Sequence, residues 1–436
     1  MTNATKNSFW YLCFNLSRLV VLFFGNIWIS RRLGPEAFGQ FSYFLSAIIY
    51  ISAFDSLCHE SIVKQHLAHD DDIGKVLGTA SLLNLFIALV CSSIIIGFGL
   101  MTIPESLMLA TFLLFIPGQL SKPFNPIANL FDIKLLAKYS SLALFIGATI
   151  SIVVRTTSVT LSENLVYQSF GYSLQFVFYA AALFWFSRGR IALRQWRVSW
   201  ALLIDIIKKS FPMFLSVIIY LSLSQSDIFM IRHMLDVREV GIYSIVVKLS
   251  EPWVIVSSAL CTSYFPLIFS HAHSVKKQAK YFVRANQFSI YFVVALGLVL
   301  TLMIGKIVSI LLGNQYNEVA GIFRIYFWSI LFLFFANIQH IWEVYNKKYS
   351  ISLYKTLGAC FLKISLNFVL GRYFGLPGFA VATLIALFFY GFGFNVLSRT
   401  TRVYLQLQLR AFRYQEFRIS LRFFTQKGRR WLKSGL

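Results

Sequence analysis

Runs of apolar residues about twenty positions long, separated by short polar connections, fill most of the chain. A helix that crosses a bilayer needs roughly 20 mostly apolar residues. Twelve segments qualify: 9–30, 38–59, 78–101, 106–130, 140–160, 165–187, 211–231, 240–268, 284–305, 319–342, 351–371 and 376–397. Pro117, Pro123 and Pro126 interrupt the fourth, with Lys122 among them. That helix is expected to kink, because proline removes a ladder donor and neighbouring helices must satisfy the freed carbonyls. The run from Phe9 to Ile29 is too long for the apolar core of a secretory signal and contains Arg18, so it reads as the first span.

Composition agrees with this pattern. Of 436 residues, 57% are hydrophobic and 13% charged, and Phe alone occurs 45 times. Soluble domains carry about 25% charged residues. No polar stretch is long enough to house a separate soluble domain. Cys13, Cys58, Cys91, Cys261 and Cys360 all fall in apolar segments without a paired spacing, and read as small hydrophobes rather than a disulfide or metal framework.

Charge sets the orientation. With the N-terminus inside, 29 of the 40 Lys and Arg residues fall in cytoplasmic segments and 8 in external ones. The other three, Arg18, Lys248 and Lys363, are counted within spans, and those near a segment's end or at the proline break, such as Arg155 and Lys122, with the adjoining connection. Basic residues accumulate on the cytoplasmic side of membrane proteins, so both termini are expected there. The net charge of +23 then lines a face apposed to anionic lipid and calls for no nucleic acid. The tail 399–436 interleaves basic with aromatic and aliphatic residues and suits an amphipathic helix on the bilayer surface.

A faint repeat divides the chain. At an offset of 202, Leu33, Gly39, Phe41 and Ser42 align with Leu235, Gly241, Tyr243 and Ser244. At an offset of 210, Lys138-Tyr139-Ser140 aligns with Lys348-Tyr349-Ser350. The expected organisation is an all-α integral membrane protein of about twelve spans in two six-helix lobes related as parallel repeats. The lobes would cover 1–187 and 210–398, joined by a basic cytoplasmic linker, 188–209, and followed by the tail, 399–436. Parallel repeats of this kind are a transporter architecture, with substrate bound between the halves.

Several motifs occur in order along residues 6–400. They are Arg32-Leu33-Gly34-Pro35-Glu36-Ala37-Phe38-Gly39, Ser210-Phe211-Pro212 with Ser226-Asp227-Ile228, and Val240-Gly241-Ile242-Tyr243 with Lys248-Leu249-Ser250-Glu251. Leu312-Gly313-Asn314-Gln315-Tyr316 follows, then Asn367 and Gly375-Leu376-Pro377-Gly378-Phe379-Ala380-Val381-Ala382-Thr383. The set resembles the Wzx-type polysaccharide flippases of the multidrug/oligosaccharidyl-lipid/polysaccharide (MOP) superfamily. Phe379, where a small residue is usual, and Leu57, where glycine is frequent, depart from the pattern. The resemblance implies translocation of undecaprenyl-pyrophosphate-linked repeat units, of O-antigen, lipopolysaccharide or capsule type, across the bacterial inner membrane by alternating access. Polymerase and chain-length proteins would be neighbours.

A charge within a span costs about 2.5–3.5 kcal/mol on insertion scales and needs a reason. Arg18, Lys248 and Lys363 are candidates to replace the hydration of a pyrophosphate or anionic glycan in a wet cavity. Asp55, Asp227 and Glu251 are candidates for ion coupling or cavity carboxylates. Simpler roles compete: Lys248 with Glu251, and Glu343 with Lys347, stand at ion-pair spacing on a helix. Asp55, His59 and Lys64 can snorkel to the interface. No catalytic constellation, metal motif or nucleotide loop is found, so neither an enzyme nor a cofactor is expected. The rivals are an ion-coupled multidrug exporter of the same superfamily and, against the short external loops, a membrane-embedded glycan polymerase or ligase.

Overall fold

The computed structural model describes residues 3–69, 72–161, 164–188, 195–269 and 274–412. Two compact units emerge, one of residues 1–244 with 311–315, the other of residues 245–310 with 316–436. Ten helical stretches among the described residues are long and apolar enough to cross a membrane, and the protein is multi-pass.

The first unit opens with α1 (Asn3–Ile51), a continuous run except at Gly34, whose φ of 77° and ψ of 170° break the helix. The positive φ suits glycine. The extended ψ suits a residue before proline, and Pro35 then starts a new helical turn without a donor to lose. The expected segments 9–30 and 38–59 thus meet at a sharp bend rather than a loop. A 3-10 stretch, Ser52–Cys58, interrupts the second of them, and α2 (Glu60–His69) carries it past its expected end.

Next come α3 (Ile73–Thr102), α4 (Ser106–Leu113), α5 (Ile116–Leu120), a 3-10 turn at Lys122–Phe124, and α6 (Asn125–Ile133). The fourth span is therefore broken where Pro117, Pro123 and Pro126 require it. Helices α7 (Ala137–Leu161) and α8 (Leu165–Ser187) pack closely, with Gly147 against the Gln175 carbonyl. The segment 195–199 lies along the start of α3. Arg197 donates its backbone N–H to Gly74 O at 3.3 Å, and Ser199 donates to Thr79 Oγ1 at 3.0 Å. Helix α9 (Trp200–Met234) begins inside the segment expected as linker, and residues 189–194 of that linker lie outside the described residues.

Helix α10 (Val237–Phe269) starts in the first unit. There Gly39 and Gly241 touch. A β-carbon on Gly39 would overlap the Val237 carbonyl oxygen, and one on Gly241 would overlap that of Pro35.

The second unit holds the rest of α10, most of α11 (Val275–Leu312), α12 (Glu318–Tyr326), α13 (Ser329–Tyr345), α14 (Tyr349–Phe374), α15 (Leu376–Phe388), α16 (Phe394–Leu397) and α17 (Arg402–Ala411). A π-helical turn, Phe389–Gly393, separates α15 from α16. Its Gly391 carbonyl accepts from Gln408 Nε2 at 2.7 Å, while Asn395 exchanges hydrogen bonds with Gln339 at 2.8 and 2.9 Å. Tyr404, Leu407 and Ala411 of α17 are buried. Of the tail 399–436, Arg402–Ala411 is helical with its apolar residues packed among Phe282, Ile338 and Trp342, and residues 413–436 lie outside the described residues.

Candidate functional site

Two irregular segments of the first unit, Ser52–Cys58 and Lys122–Phe124, face one another. In each the α-ladder has lapsed, the second because Pro123 and Pro126 cannot donate to it. Mid-helix 3-10 stretches often mark functional sites. Lys122 Nζ forms an ion pair with Asp55 Oδ2 and donates to Ser52 Oγ at 3.2 Å. Gln119 Nε2 donates to the same Ser52 Oγ at 2.6 Å. The Lys122 side chain is 13% exposed and that of Asp55 32%, so water screens the pair only in part.

This pair lies in the wall of a cavity of about 550 Å³. A second pair lines it: Lys64 Nζ sits 3.3 Å from Glu60 Oε2 and 3.0 Å from Asp132 Oδ2. Ser140 Oγ donates to the other Asp132 oxygen at 2.9 Å. Asn84, Asn125 and Asn129 present amides to the space, and Tyr11 and Tyr179 present phenols. A smaller cavity of about 270 Å³ is also lined by Ser52, Asp55 and Lys122, so the ion pair stands between two hollows.

The six residues singled out from the sequence fall into different surroundings. Asp55 is in the cavity wall, paired rather than snorkelling. Arg18 is partly buried on α1, within electrostatic reach of Tyr11 and Tyr179, and its Nε has no hydrogen-bond partner among the described residues. Asp227 is buried and accepts from Tyr243 Oη at 2.8 Å, away from both cavities. In the second unit Lys248 and Glu251 pair at 3.3 Å, as their spacing allows, and Glu251 is 55% exposed. Lys363 is buried in α14. That unit has its own cavity of about 500 Å³, lined by Ser258, Cys261, Asn337 and His340, and Lys248, Glu251 and Lys363 do not line it.

One expected pairing is overturned. Glu343 is held not by Lys347 but by Lys355, at 2.7 Å, with both side chains almost fully buried. Lys347 has a φ of 56° in the turn that closes α13, while Lys355, two turns into α14, packs back against it. Lys355 Nζ also lies 4.8 Å from the centre of the Tyr390 ring.

Sequence reasoning missed three features. Lys122 counted as a cytoplasmic charge, though its place among three prolines was a signal of irregular backbone. Asp132 went unremarked because its partner, Lys64, is 68 positions away. Arg155 counted as external although the expected span 140–160 contains it, and α7 buries it to 1% exposure. Its Nε donates to Gln168 Oε1 at 3.2 Å, and its guanidinium lies 4.9 Å from the centre of the Phe41 ring.

These features define a polytopic helical membrane protein with a charged, water-accessible cavity. Among solved structures, the chain is similar to a multidrug resistance MATE family transporter of the MOP superfamily in its inward-facing conformation: TM-score 0.73, 15% identity, 91% of this chain and 96% of that one covered. It is also similar to the lipid II flippase MurJ in an inward closed conformation, at TM-score 0.71 and 13% identity over 94% and 92% of the two chains. A MOP superfamily transporter from Pyrococcus furiosus matches at TM-score 0.65 and 16% identity, over 93% and 96%. At these identities the likeness is one of fold. No curated protein sequence matches. Residues 4–272 match the family model of polysaccharide biosynthesis proteins, and the chain belongs to that family.

Proposed function

We propose that the protein is a Wzx-type flippase. It would carry undecaprenyl-pyrophosphate-linked oligosaccharide units, of O-antigen or capsule type, across the bacterial inner membrane by alternating access. The observation that carries this reading is the charged cavity inside an otherwise apolar chain whose residues 4–272 match a polysaccharide biosynthesis family. A hydroxyl-rich glycan must shed water to cross, and amides, hydroxyls and paired charges can replace that water. The prenyl tail can stay in lipid.

Dividing the 60-residue stretch Trp10–His69 at Gly34, and adding α9, raises the ten apolar stretches to twelve spans. That count agrees with two six-helix lobes and cytoplasmic termini. In this reading Arg18, Lys248 and Lys363 offer charge to the pyrophosphate, and Asp55, Asp227 and Glu251 are the carboxylates able to couple an ion. Polymerase and chain-length proteins would receive the product.

A second reading, an ion-coupled multidrug exporter, is favoured by the fold likeness to the MATE transporter and by the carboxylates of the cavity. The two part in a deletion strain. Surface polysaccharide should be lost and lipid-linked units trapped on the cytoplasmic face, with wild type restoring export and Arg18→Ala or Lys363→Ala failing at normal membrane levels. Unchanged surface glycan in the deletion strain, together with increased drug sensitivity, would favour the exporter.

A further inference from the structure

We infer that the cavity of the first unit selects glycan units by charge, taking neutral or amino-bearing sugars and disfavouring uronic-acid units. This rests on the flippase reading and names the class of sugar it handles.

The groups that line the cavity carry the inference. Asp55, Glu60 and Asp132 contribute three carboxylates, and Lys64 and Lys122 two ammoniums, leaving one formal negative charge. Even counting Arg18, which lies within electrostatic reach of Tyr11 and Tyr179 on the wall, the balance is zero and not a surplus of cations. Each ammonium is already held by a carboxylate, Lys122 by Asp55 and Lys64 by Glu60 and Asp132. An incoming sugar carboxylate would have to displace one of these and would leave the displaced acid unpaired in a poorly screened site. It would also meet the remaining acids at close range.

A neutral sugar meets no such penalty. Paired carboxylates keep lone pairs able to accept from sugar hydroxyls. No described residue hydrogen-bonds to the side-chain amides of Asn84, Asn125 or Asn129, each of which can both donate and accept. An amino sugar brings one positive charge to a lining in which three carboxylates face two ammoniums. A cavity of about 550 Å³ lies in the range that holds a small ligand, so a short oligosaccharide can enter.

The test uses the full chain in nanodiscs and soluble oligosaccharides of one length: a chitooligosaccharide (neutral), its deacetylated form (cationic) and an oligogalacturonide (anionic). Binding by calorimetry should be at least tenfold tighter for the first two than for the third. Asn129→Lys, which adds a cation and removes no member of either pair, should raise oligogalacturonide affinity several-fold and reduce that of the deacetylated sugar. Equal or tighter binding of oligogalacturonide by wild type, indifference to Asn129→Lys, or no binding of any sugar would overturn the inference. A separate assay of lipid-linked oligosaccharide movement in proteoliposomes keeps the two claims apart. Transport without charge selectivity sinks this inference alone, and absence of transport sinks the flippase reading.

Discussion

Gly39 and Gly241, which stand 202 positions apart, lie backbone to backbone, and the contact is reciprocal. The β-carbon site of Gly39 falls on the carbonyl of Val237, and that of Gly241 on the carbonyl of Pro35, itself 202 positions from Val237. The aligned positions of the faint sequence repeat are therefore the ones that meet. Only residues without a β-carbon permit so close a crossing of helices. Gly39→Ala or Gly241→Ala should each destabilise the protein by about 1–3 kcal/mol through overpacking. The double variant should cost less than the sum, because one methyl already forces the backbones apart. Thermal unfolding in detergent checks both; strict additivity would mean the two sites yield independently.

The Asp55–Lys122 pair joins two lapses in helical structure and separates two hollows. Lys122→Met should leave Asp55 unpaired, and Asp55→Asn should strand Lys122. Glycan export is expected to fall tenfold or more in either variant at normal membrane abundance. The exchanged pair, Asp55→Lys with Lys122→Asp, should recover part of it. Export that survives both single variants would reduce the pair to a local fastening.

Much of the fold was legible because a bilayer imposes a simple rule, about twenty apolar residues per crossing, and because proline and glycine punctuate it. The broken fourth span and the Lys248–Glu251 pair both follow from residues near one another in sequence, whereas the Gly34 bend stands where a loop was expected. What spacing along one helix could not supply was the partner across helices. Glu343 and Lys347 stand at ion-pair spacing, but the helix ends between them, and the next helix returns Lys355 instead. Asp55 met Lys122, and Lys64 met Asp132, by the same kind of long-range approach. Arg155 was misread for another reason: an arginine five residues from the end of its span was counted with the external connection, but its side chain turns into the protein, to Gln168 and Phe41.

Arg155 owes its place to Gly171, where a β-carbon would run into the arginine's Cγ. Gly171→Ala should cost about 1–3 kcal/mol as an overpacked core substitution. In an Arg155→Ala background, which removes the obstructing atom, the same change should cost less than about 0.5 kcal/mol. A double-mutant cycle on thermal stability reads this coupling. Equal costs in the two backgrounds would show that Arg155 moves aside freely and that Gly171 serves another contact.

Glu343 and Lys355 form a buried ion pair between α13 and α14, 1% and 0% exposed at their side chains, while Glu343 Oε2 lacks a hydrogen-bond partner among the described residues. Such a pair is costly to break and cheap to replace. Removing one member leaves an uncompensated charge and should destabilise by about 3–5 kcal/mol, whereas two apolar residues of similar volume are often neutral or stabilising. Lys355→Met alone should therefore unfold well below wild type, and Glu343→Leu with Lys355→Met should return to the wild-type melting temperature or above it. The transport assay then decides why the charges are there. A stable double variant that still exports glycan would make the pair purely architectural. A stable double variant that cannot export would show that the second unit needs these charges for movement, since its fold would be intact without them.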